Sequence, residues 1–158
     1  MAIQHETFLR QAIELAVDNV RRGLGGPFGA LVVRDGTVIA NGTNVVTASN
    51  DPTAHAEMVA IRAACQKIGS FQLPGCHLYT SCEPCPMCLG AIYWARAEAF
   101  YFAANREDAS RGQFDDSYIY TELNKPLEAR TIPGNRLLAA EGFRPFEEWL
   151  KTQNKVRY

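Results

Sequence analysis

The stretch that decides the fold and the chemistry of this chain is TSCEPCPMC, residues 80–88, together with HAE at residues 55–57. His55, Cys85 and Cys88 offer one imidazole nitrogen and two thiolates, which are ligands that zinc prefers. A structural zinc site is normally closed by four protein ligands, whereas three ligands leave one coordination position open for chemistry. We therefore predict a catalytic zinc site, with Glu57 as a nearby carboxylate that need not bind the metal.

The spacing within each motif predicts how the ligands are presented. Cys85 and Cys88 are three residues apart, so both can face one ion from the first turn of a helix. His55 and Glu57 are two apart and would point in nearly opposite directions along the wall of a helix. They can converge only if that helix aims its N-terminus at the metal. We predict two helix N-termini that meet at the site, where their dipoles stabilise thiolates and a developing anion.

Cys82 makes a structural zinc site possible as an alternative to a catalytic one. It lies three residues before Cys85, so Cys82 could complete a closed four-ligand set and make the chain a structural zinc-binding module without activity. Glu57 would then have no role, which favours the catalytic interpretation. Cys65 and Cys76 lie in apolar segments and fit core packing better than metal binding.

The bulk composition describes one globular domain, residues 1–158. With 47% hydrophobic and 21% charged residues, the chain is ordinary for a folded protein that needs no disulfides. A net charge of -1 provides no basic field for a phosphate backbone, so nucleic acid is not an expected partner. The sequence has neither a secretory pattern nor an apolar run of about 18 residues, so we expect no membrane span and a cytoplasmic location.

Hydrophobic periodicity and turn residues predict the elements between these motifs. Helices are predicted at 6–22, from a cap at Asp51 or Thr53 to about Ile68, and at 86–96, 117–123 and 143–152. Strands are predicted at 28–34 and 38–41, joined as an antiparallel hairpin by Asp35-Gly36. Further strands are predicted at 76–81, 98–104 and, interrupted by Pro133-Gly134, at 130–138, with loops at 44–50 and 105–117. The 76–104 segment suggests parallel strands joined by a helix. The sum is a three-layer α/β/α domain with a mixed central sheet of about five strands.

The two motifs resemble the cytidine deaminase-like superfamily, in which H-x-E is followed by P-C-x-x-C. The longer strings NDPTAHAE at 50–57 and residues 80–94 are similar to bacterial guanine deaminases in particular. GGPFGA at 25–30, FDDSYIY at 114–120 and the C-terminal tyrosine extend the similarity over nearly the whole chain. The resemblance implies one zinc ion per subunit and hydrolytic deamination of guanine to xanthine and ammonia.

The same resemblance implies roles for individual residues. The zinc ligands would be His55, Cys85 and Cys88, and Glu57 would transfer protons. The substrate contacts would be Asn44 as a hydrogen-bond partner of the purine, Asp116 on its polar edge, Phe28 and Trp94 near the ring, and Tyr158. Tyr158 would reach a substrate in a homodimer that exchanges its C-terminal segment, about residues 140–158. The choice between Asp115 and Asp116 stays open.

Two other deaminase activities compete with this interpretation. A tRNA adenosine deaminase has nearly the same zinc motifs but would need a positively charged face, which a pI near 6.3 does not suggest. A free cytosine deaminase would have a smaller pocket, and the acidic pair Asp115-Asp116 suits the donor-rich edge of a purine better. We therefore expect a small-molecule purine base as the ligand.

Overall fold

The computed structural model describes residues 5–158. Its elements, in chain order, are α1 (His5–Arg21), β1 (Gly29–Arg34), β2 (Thr37–Thr43), α2 (Val46–Ser49), α3 (Ala56–Ile68), β3 (Cys76–Cys82), α4 (Pro86–Trp94), β4 (Ala99–Ala104), α5 (Arg106–Arg111), α6 (Ser117–Leu123), a 3-10 helix (Leu127–Ala129) and α7 (Arg144–Lys151). The chain divides into a first compact unit that ends at Asp116 and a second unit, Ser117–Tyr158.

The first unit is built on one mixed sheet with the strand order β2-β1-β3-β4. β1 is antiparallel to both β2 and β3, whereas β3 and β4 are parallel. The predicted hairpin is confirmed: Asp35 and Gly36 both have positive φ, as a two-residue turn between twisted strands requires. The parallel pair joined by α4 is confirmed as well.

Side chains of β1 alternate between two hydrophobic cores because successive residues of a strand face opposite ways. Leu31 and Val33 pack with Ala12 of α1 on one face of the sheet. Ala30 and Val32 belong to the core on the other face, which includes residues of α3 and α4: Ala56, Ala60, Ala64 and Ile92. The predicted three-layer α/β/α arrangement is therefore confirmed.

Two glycines let the helices approach the sheet closely. A Cβ atom at Gly29 would lie 2.4 Å from the Ala12 carbonyl oxygen, and one at Gly42 would lie 2.3 Å from the Ala56 carbonyl oxygen. Any side chain at these positions would push the helix outwards. Gly42 thus sets how near the first turn of α3, which carries Glu57, comes to the sheet.

The prediction of a fifth strand at 130–138 is wrong. Within the described part of the chain the sheet has four strands, and residues 130–138 have no regular secondary structure. Pro133 lacks the N–H that a ladder needs, and Pro133-Gly134 favours a turn, so the apolar residues here do not form a strand. They belong instead to the second unit, which holds α6, the 3-10 helix and α7. The predicted helices at 117–123 and 143–152 are confirmed there.

Three local predictions also need correction. Helix α3 begins later than expected, with His55 as its N-cap, because the Asp51 carboxylate instead accepts hydrogen bonds from the backbone N–H and the hydroxyl of Thr53. The predicted loop at 44–50 contains the short helix α2. The predicted loop at 105–117 contains α5, which begins at a capping box formed by Asn105 and Asp108.

Candidate active site

The zinc-type ligands lie at the N-termini of two helices, as the spacing predicted. His55 is the N-cap residue of α3, and Cys85 is the N-cap residue of α4, with Pro86 in its first turn. Glu57 and Cys88 follow in the respective first turns. Both caps have extended backbone conformations, so the side chains before and after each helix start can face one point.

The three ligand atoms match the edges of a tetrahedral zinc site. Cys85 Sγ and Cys88 Sγ each lie 3.6 Å from His55 Nδ1, and all three atoms lie within 4.8 Å of one another. Zinc–sulfur and zinc–nitrogen bonds of about 2.3 and 2.0–2.1 Å at tetrahedral angles require N···S edges of about 3.5 Å. The residues present therefore fit a zinc ion held by His55, Cys85 and Cys88.

The two thiols differ sharply in acidity. Cys85 accepts hydrogen bonds from Cys88 and His55, which lower its pKa to about 4 against the cost of burial. The pKa of Cys88 is raised, because its thiol donates to Cys85 and is buried. The hydrogen bond to Cys85 also raises the pKa of His55. A low pKa at Cys85 favours the thiolate, which is the form that binds a metal cation.

Glu57 is a buried carboxyl group next to this cluster. Only 7% of the residue is exposed, and burial is the largest cause that raises its pKa. It lines the same cavity as His55 and Cys85. A carboxyl group with a raised pKa holds and releases a proton closer to neutral pH than an exposed one, which suits a proton carrier.

Cys82 does not join the metal cluster. Among residues 5–158, the group of side chains arranged to hold a metal consists of His55, Cys85 and Cys88. The Cys82 thiol instead donates to the Asn105 carbonyl oxygen at 3.7 Å, and burial raises its pKa to about 11. The closed four-ligand site is therefore not the arrangement found.

A cavity of about 740 Å³ opens onto the ligands within the first unit. Its lining includes predicted site residues from both motifs and from distant segments: His55, Glu57, Cys85, Phe28, Asn44 and Asp116. Cys88 is fully buried behind it. The cavity has room for a purine base, and it brings polar groups and an aromatic ring to the ion site.

An aromatic wall that the sequence did not reveal closes one side of the cavity. The rings of Phe28 and Phe114 meet edge to face, with centroids 5.1 Å apart. Phe114 is not among the predicted substrate contacts, although an aromatic residue in a polar loop is a signal for ligand contact. Asp115 and Asp116 follow it, and both line the cavity. Burial, then the nearby Cys85, raises the pKa of Asp116.

An ion pair that the sequence did not reveal joins the zinc-binding turn to α5. One Glu83 carboxylate oxygen accepts from the Arg106 guanidinium at 3.2 Å, and the other accepts from the Arg106 backbone N–H at 3.3 Å. Both residues line the cavity. The start of α5, and the loop that leads to Asp116, are thereby tied to the turn that carries Cys85.

Trp94 is not brought to this cavity, and Tyr158 lies in the second unit. Trp94 is the last residue of α4 and is 61% exposed, outside the cavity lining. Tyr158 belongs to the second unit and is 73% exposed. Their contacts with a substrate stay predictions.

Residues 2–104 match the family described as the cytidine and deoxycytidylate deaminase zinc-binding region. The match covers more than half of the chain, which therefore belongs to this family of zinc-binding deaminases. Over 156 residues the chain is 56% identical to the guanine deaminase of Bacillus subtilis (strain 168), a match that spans 99% of this chain and 100% of the relative. The crystal structure of guanine deaminase from Bacillus subtilis is similar with a TM-score of 0.96 at 57% identity, covering 98% of this chain and 99% of that one.

A second group of relatives matches a shorter part of the chain. A tRNA-specific adenosine deaminase of Aquifex aeolicus (strain VF5) is 41% identical over 99 residues, which are 63% of this chain and 65% of the relative. The predicted resemblance to the cytidine deaminase-like superfamily, and within it to bacterial guanine deaminases, is confirmed. The zinc prediction is confirmed in the same way, by the zinc-binding family and by the positions of its three candidate ligands.

Proposed function

We propose that this protein hydrolyses guanine to xanthine and ammonia. The observation that carries the proposal is the extent of similarity: the guanine deaminase of Bacillus subtilis matches 99% of this chain, whereas the adenosine deaminase of Aquifex aeolicus matches 63%. The segments outside the zinc motifs, which would carry the substrate contacts, are therefore shared with the guanine deaminase. The cavity volume and its acidic lining support a purine with several N–H donors.

Glu57 is the proton carrier of the proposed reaction. His55, Cys85 and Cys88 would hold a zinc ion, whose chemistry when bound would be to lower the pKa of water from about 15.7 to about 7. Glu57 would accept a proton from the attacking water and pass it to a ring nitrogen of guanine. It would then take the remaining proton from the added hydroxyl group and give it to the amino group. The C–N bond breaks, the hydroxyl oxygen becomes a carbonyl oxygen of xanthine, and ammonia departs. Its buried position and raised pKa suit both halves of this transfer.

Phe28, Asn44 and Asp116 are the proposed contacts with the base. The Phe28 ring, supported edge to face by Phe114, offers an apolar surface to a planar heterocycle. A carboxylate accepts hydrogen bonds, so Asp116 would bind N–H groups of guanine, while Asn44 would supply a polar contact on its side of the cavity. These three groups would bind the purine and leave the zinc site free for the reaction.

Trp94 and Tyr158 depend on a second chain in this proposal. We take the protein to be a homodimer in which about residues 140–158 of one chain cover the cavity of the other, so that Tyr158 contacts the partner's substrate. Trp94, which is exposed at the end of α4, would contact a base only through that assembly. α7 supports the exchange because it leaves its large apolar residues, Phe146, Trp149 and Leu150, exposed.

We also propose a cytoplasmic location with no nucleic-acid partner. The five cysteines are free thiols, which suits a reducing compartment. Within residues 5–158, no helix is both long and apolar enough to cross a bilayer. The net charge of -1 supports a small-molecule substrate over a polyanion.

Ammonia release with a panel of substrates tests the reaction. Purified protein with its zinc content measured is incubated with guanine, adenine, cytosine, guanosine and a tRNA anticodon hairpin. Release from guanine alone is expected. Release only from the hairpin would overturn the guanine assignment in favour of tRNA adenosine deamination, and release only from cytosine would favour the third deaminase.

Complementation between two inactive chains tests the exchange of the C-terminal segment. Glu57→Gln removes the proton carrier but keeps the tail, and Tyr158→Ala keeps the proton carrier but alters the tail. If the tail acts in the partner's site, co-expressed chains form mixed dimers with one intact site, and activity returns. Activity no higher than the sum of the two separate variants would show that the tail does not act in trans.

A further inference from the structure

Asn19 is a buried polar residue on α1, outside both zinc motifs. It is 2% exposed, and its side-chain Nδ2 donates to two backbone carbonyl oxygens, that of Gly26 at 2.9 Å and that of Asn44 at 2.8 Å. Its Oδ1 has no hydrogen-bond partner within the described part of the chain. An unpaired buried oxygen destabilises a fold, and an alanine or leucine here would avoid it. The two bonds that Nδ2 makes are what this residue contributes.

Those hydrogen bonds join the two segments that carry Phe28 and Asn44, which are proposed contacts with the purine. Gly26 precedes Phe28, and Asn44 follows β2, so a single amide joins two loops that are far apart in sequence. Both Gly26 and Asn44 line the cavity. Asn19 therefore links the turn before Phe28 to the residue proposed to bind the purine.

The side chain of Asn44 is oriented by the same pair of loops. Its Oδ1 accepts from the backbone N–H groups of Gly26 at 3.4 Å and Val46 at 3.3 Å. Because both partners are donors, the atom that they bind has to be the oxygen. Asn44 Nδ2 has no partner among residues 5–158, so the group that Asn44 offers to a ligand is an N–H donor.

Gly25 packs closely against the Asn44 carbonyl group. A Cβ atom at Gly25 would lie 2.1 Å from the Asn44 carbonyl oxygen and 3.2 Å from its Oδ1. The Asn44 carbonyl oxygen thus lies close to both the amide of Asn19 and the backbone of Gly25. Loss of either constraint would let Asn44 turn or shift.

We propose that Asn19 is a positioning residue for substrate binding, which fixes the backbone of Asn44 so that its amide N–H faces an acceptor atom of the base. The inference rests on the proposed function in taking Asn44 as a contact of the base and that base to be guanine. Asn19 itself does not line the cavity. Its side-chain hydrogen bonds go to the backbone of Gly26 and Asn44, so its effect reaches the substrate through Asn44.

Replacement of Asn19 by a residue of similar size without hydrogen-bonding groups tests the proposal. Asn19→Leu is compared with Asn41→Leu, the same change at an exposed position of β2. For Asn19→Leu we expect the KM for guanine to rise about tenfold, as for the loss of one oriented hydrogen bond, with kcat changed less than about threefold. Zinc content should stay at the wild-type value in both variants, and Asn41→Leu should keep the wild-type KM.

A second variant moves Asn44 without touching Asn19. Gly25→Ala meets the Asn44 carbonyl oxygen and should raise KM in the same way, so it serves if Asn19→Leu does not fold. An unchanged KM in either folded variant would overturn the proposal. A fall in kcat or zinc content with KM unchanged would also overturn it, since that pattern indicates a general loss of structure.

The side-chain amide signals of Asn44 in an NMR spectrum separate this inference from the proposed function. These signals report the orientation of the Asn44 side chain without any substrate. We expect their chemical shifts to change in Asn19→Leu and to keep their wild-type values in Asn41→Leu. If wild-type protein releases no ammonia from guanine but the signals shift, the guanine assignment fails and the positioning role stands. If they do not shift, the positioning role fails whatever the substrate.

Discussion

The metal side and the base side of the cavity are built in different ways. On the metal side, His55, Glu57, Cys85 and Cys88 come from two short motifs, each at the first turn of a helix. On the base side, the residues come from three distant segments, represented by Phe28, Asn44 and Asp116, and loop contacts hold them together. The first arrangement follows from local helix geometry, whereas the second exists only after the chain has folded.

The difference predicts two kinds of mutational effect. The metal-side groups take part in chemistry directly, so their loss removes turnover. The base-side groups hold and orient the substrate, so their loss raises KM or changes the choice of base. Variants on the two sides test this division between loss of turnover and a raised KM, and the largest effect is expected at a zinc ligand.

Loss of a zinc ligand should remove activity completely. Cys85→Ser replaces the thiol of lowest pKa by a hydroxyl group, which is a poor zinc ligand, and leaves two ligands. We expect zinc content to fall towards zero and ammonia release to be undetectable. Cys65→Ser is the matched control outside the cluster and should keep its metal. Full activity of Cys85→Ser with a normal zinc content would contradict the ligand assignment.

Loss of the proton carrier should remove turnover but leave the metal in place. Glu57→Gln keeps the size of the side chain but cannot accept a proton, and general acid–base catalysis typically contributes about 10²–10⁴-fold. We expect kcat to fall by about that factor. Metal analysis separates this case from the previous one, and loss of zinc in Glu57→Gln would make Glu57 a ligand.

Loss of the carboxylate that reads the base should act mainly on binding. Asp116→Asn replaces an acceptor by a group that also donates, and a hydrogen bond to a charged group is worth about 1.5–3 kcal/mol, or about 10–150-fold in affinity. We expect a rise of that size in the KM for guanine. Asp115→Asn is the matched comparison, and a larger effect there would transfer the role to Asp115.

The smallest effect is expected at Cys82. Its thiol donates a hydrogen bond to the Asn105 carbonyl oxygen at 3.7 Å, and among residues 5–158 it lies outside the group of side chains arranged to hold a metal. Cys82→Ser keeps a hydrogen-bond donor at this position, so the Asn105 carbonyl oxygen keeps its partner, and we expect zinc content and kcat to stay within about twofold of the wild-type values. Loss of zinc from Cys82→Ser would instead favour the closed structural site with four protein ligands.

Much of the sheet was predictable because its signals are local. The Asp35-Gly36 turn between two short β-favouring runs was enough for the hairpin, and the strand-helix-strand order was enough for the parallel pair. The segment 130–138 misled for the same reason: its apolar residues look like a strand, but Pro133 prevents a ladder. The start of α3 was missed because Asp51 hydrogen-bonds to Thr53 rather than to the helix.

The sequence by itself determined the chemistry of the metal side. A histidine, a glutamate and two cysteines at these spacings can meet in few ways, because a helix start presents its cap and first turn towards one point. The tertiary structure alone decided the base side. The meeting of Phe28 with Phe114, the ion pair of Glu83 with Arg106 and the bond from Asn19 to Asn44 join residues far apart in sequence, and no local periodicity encodes such contacts.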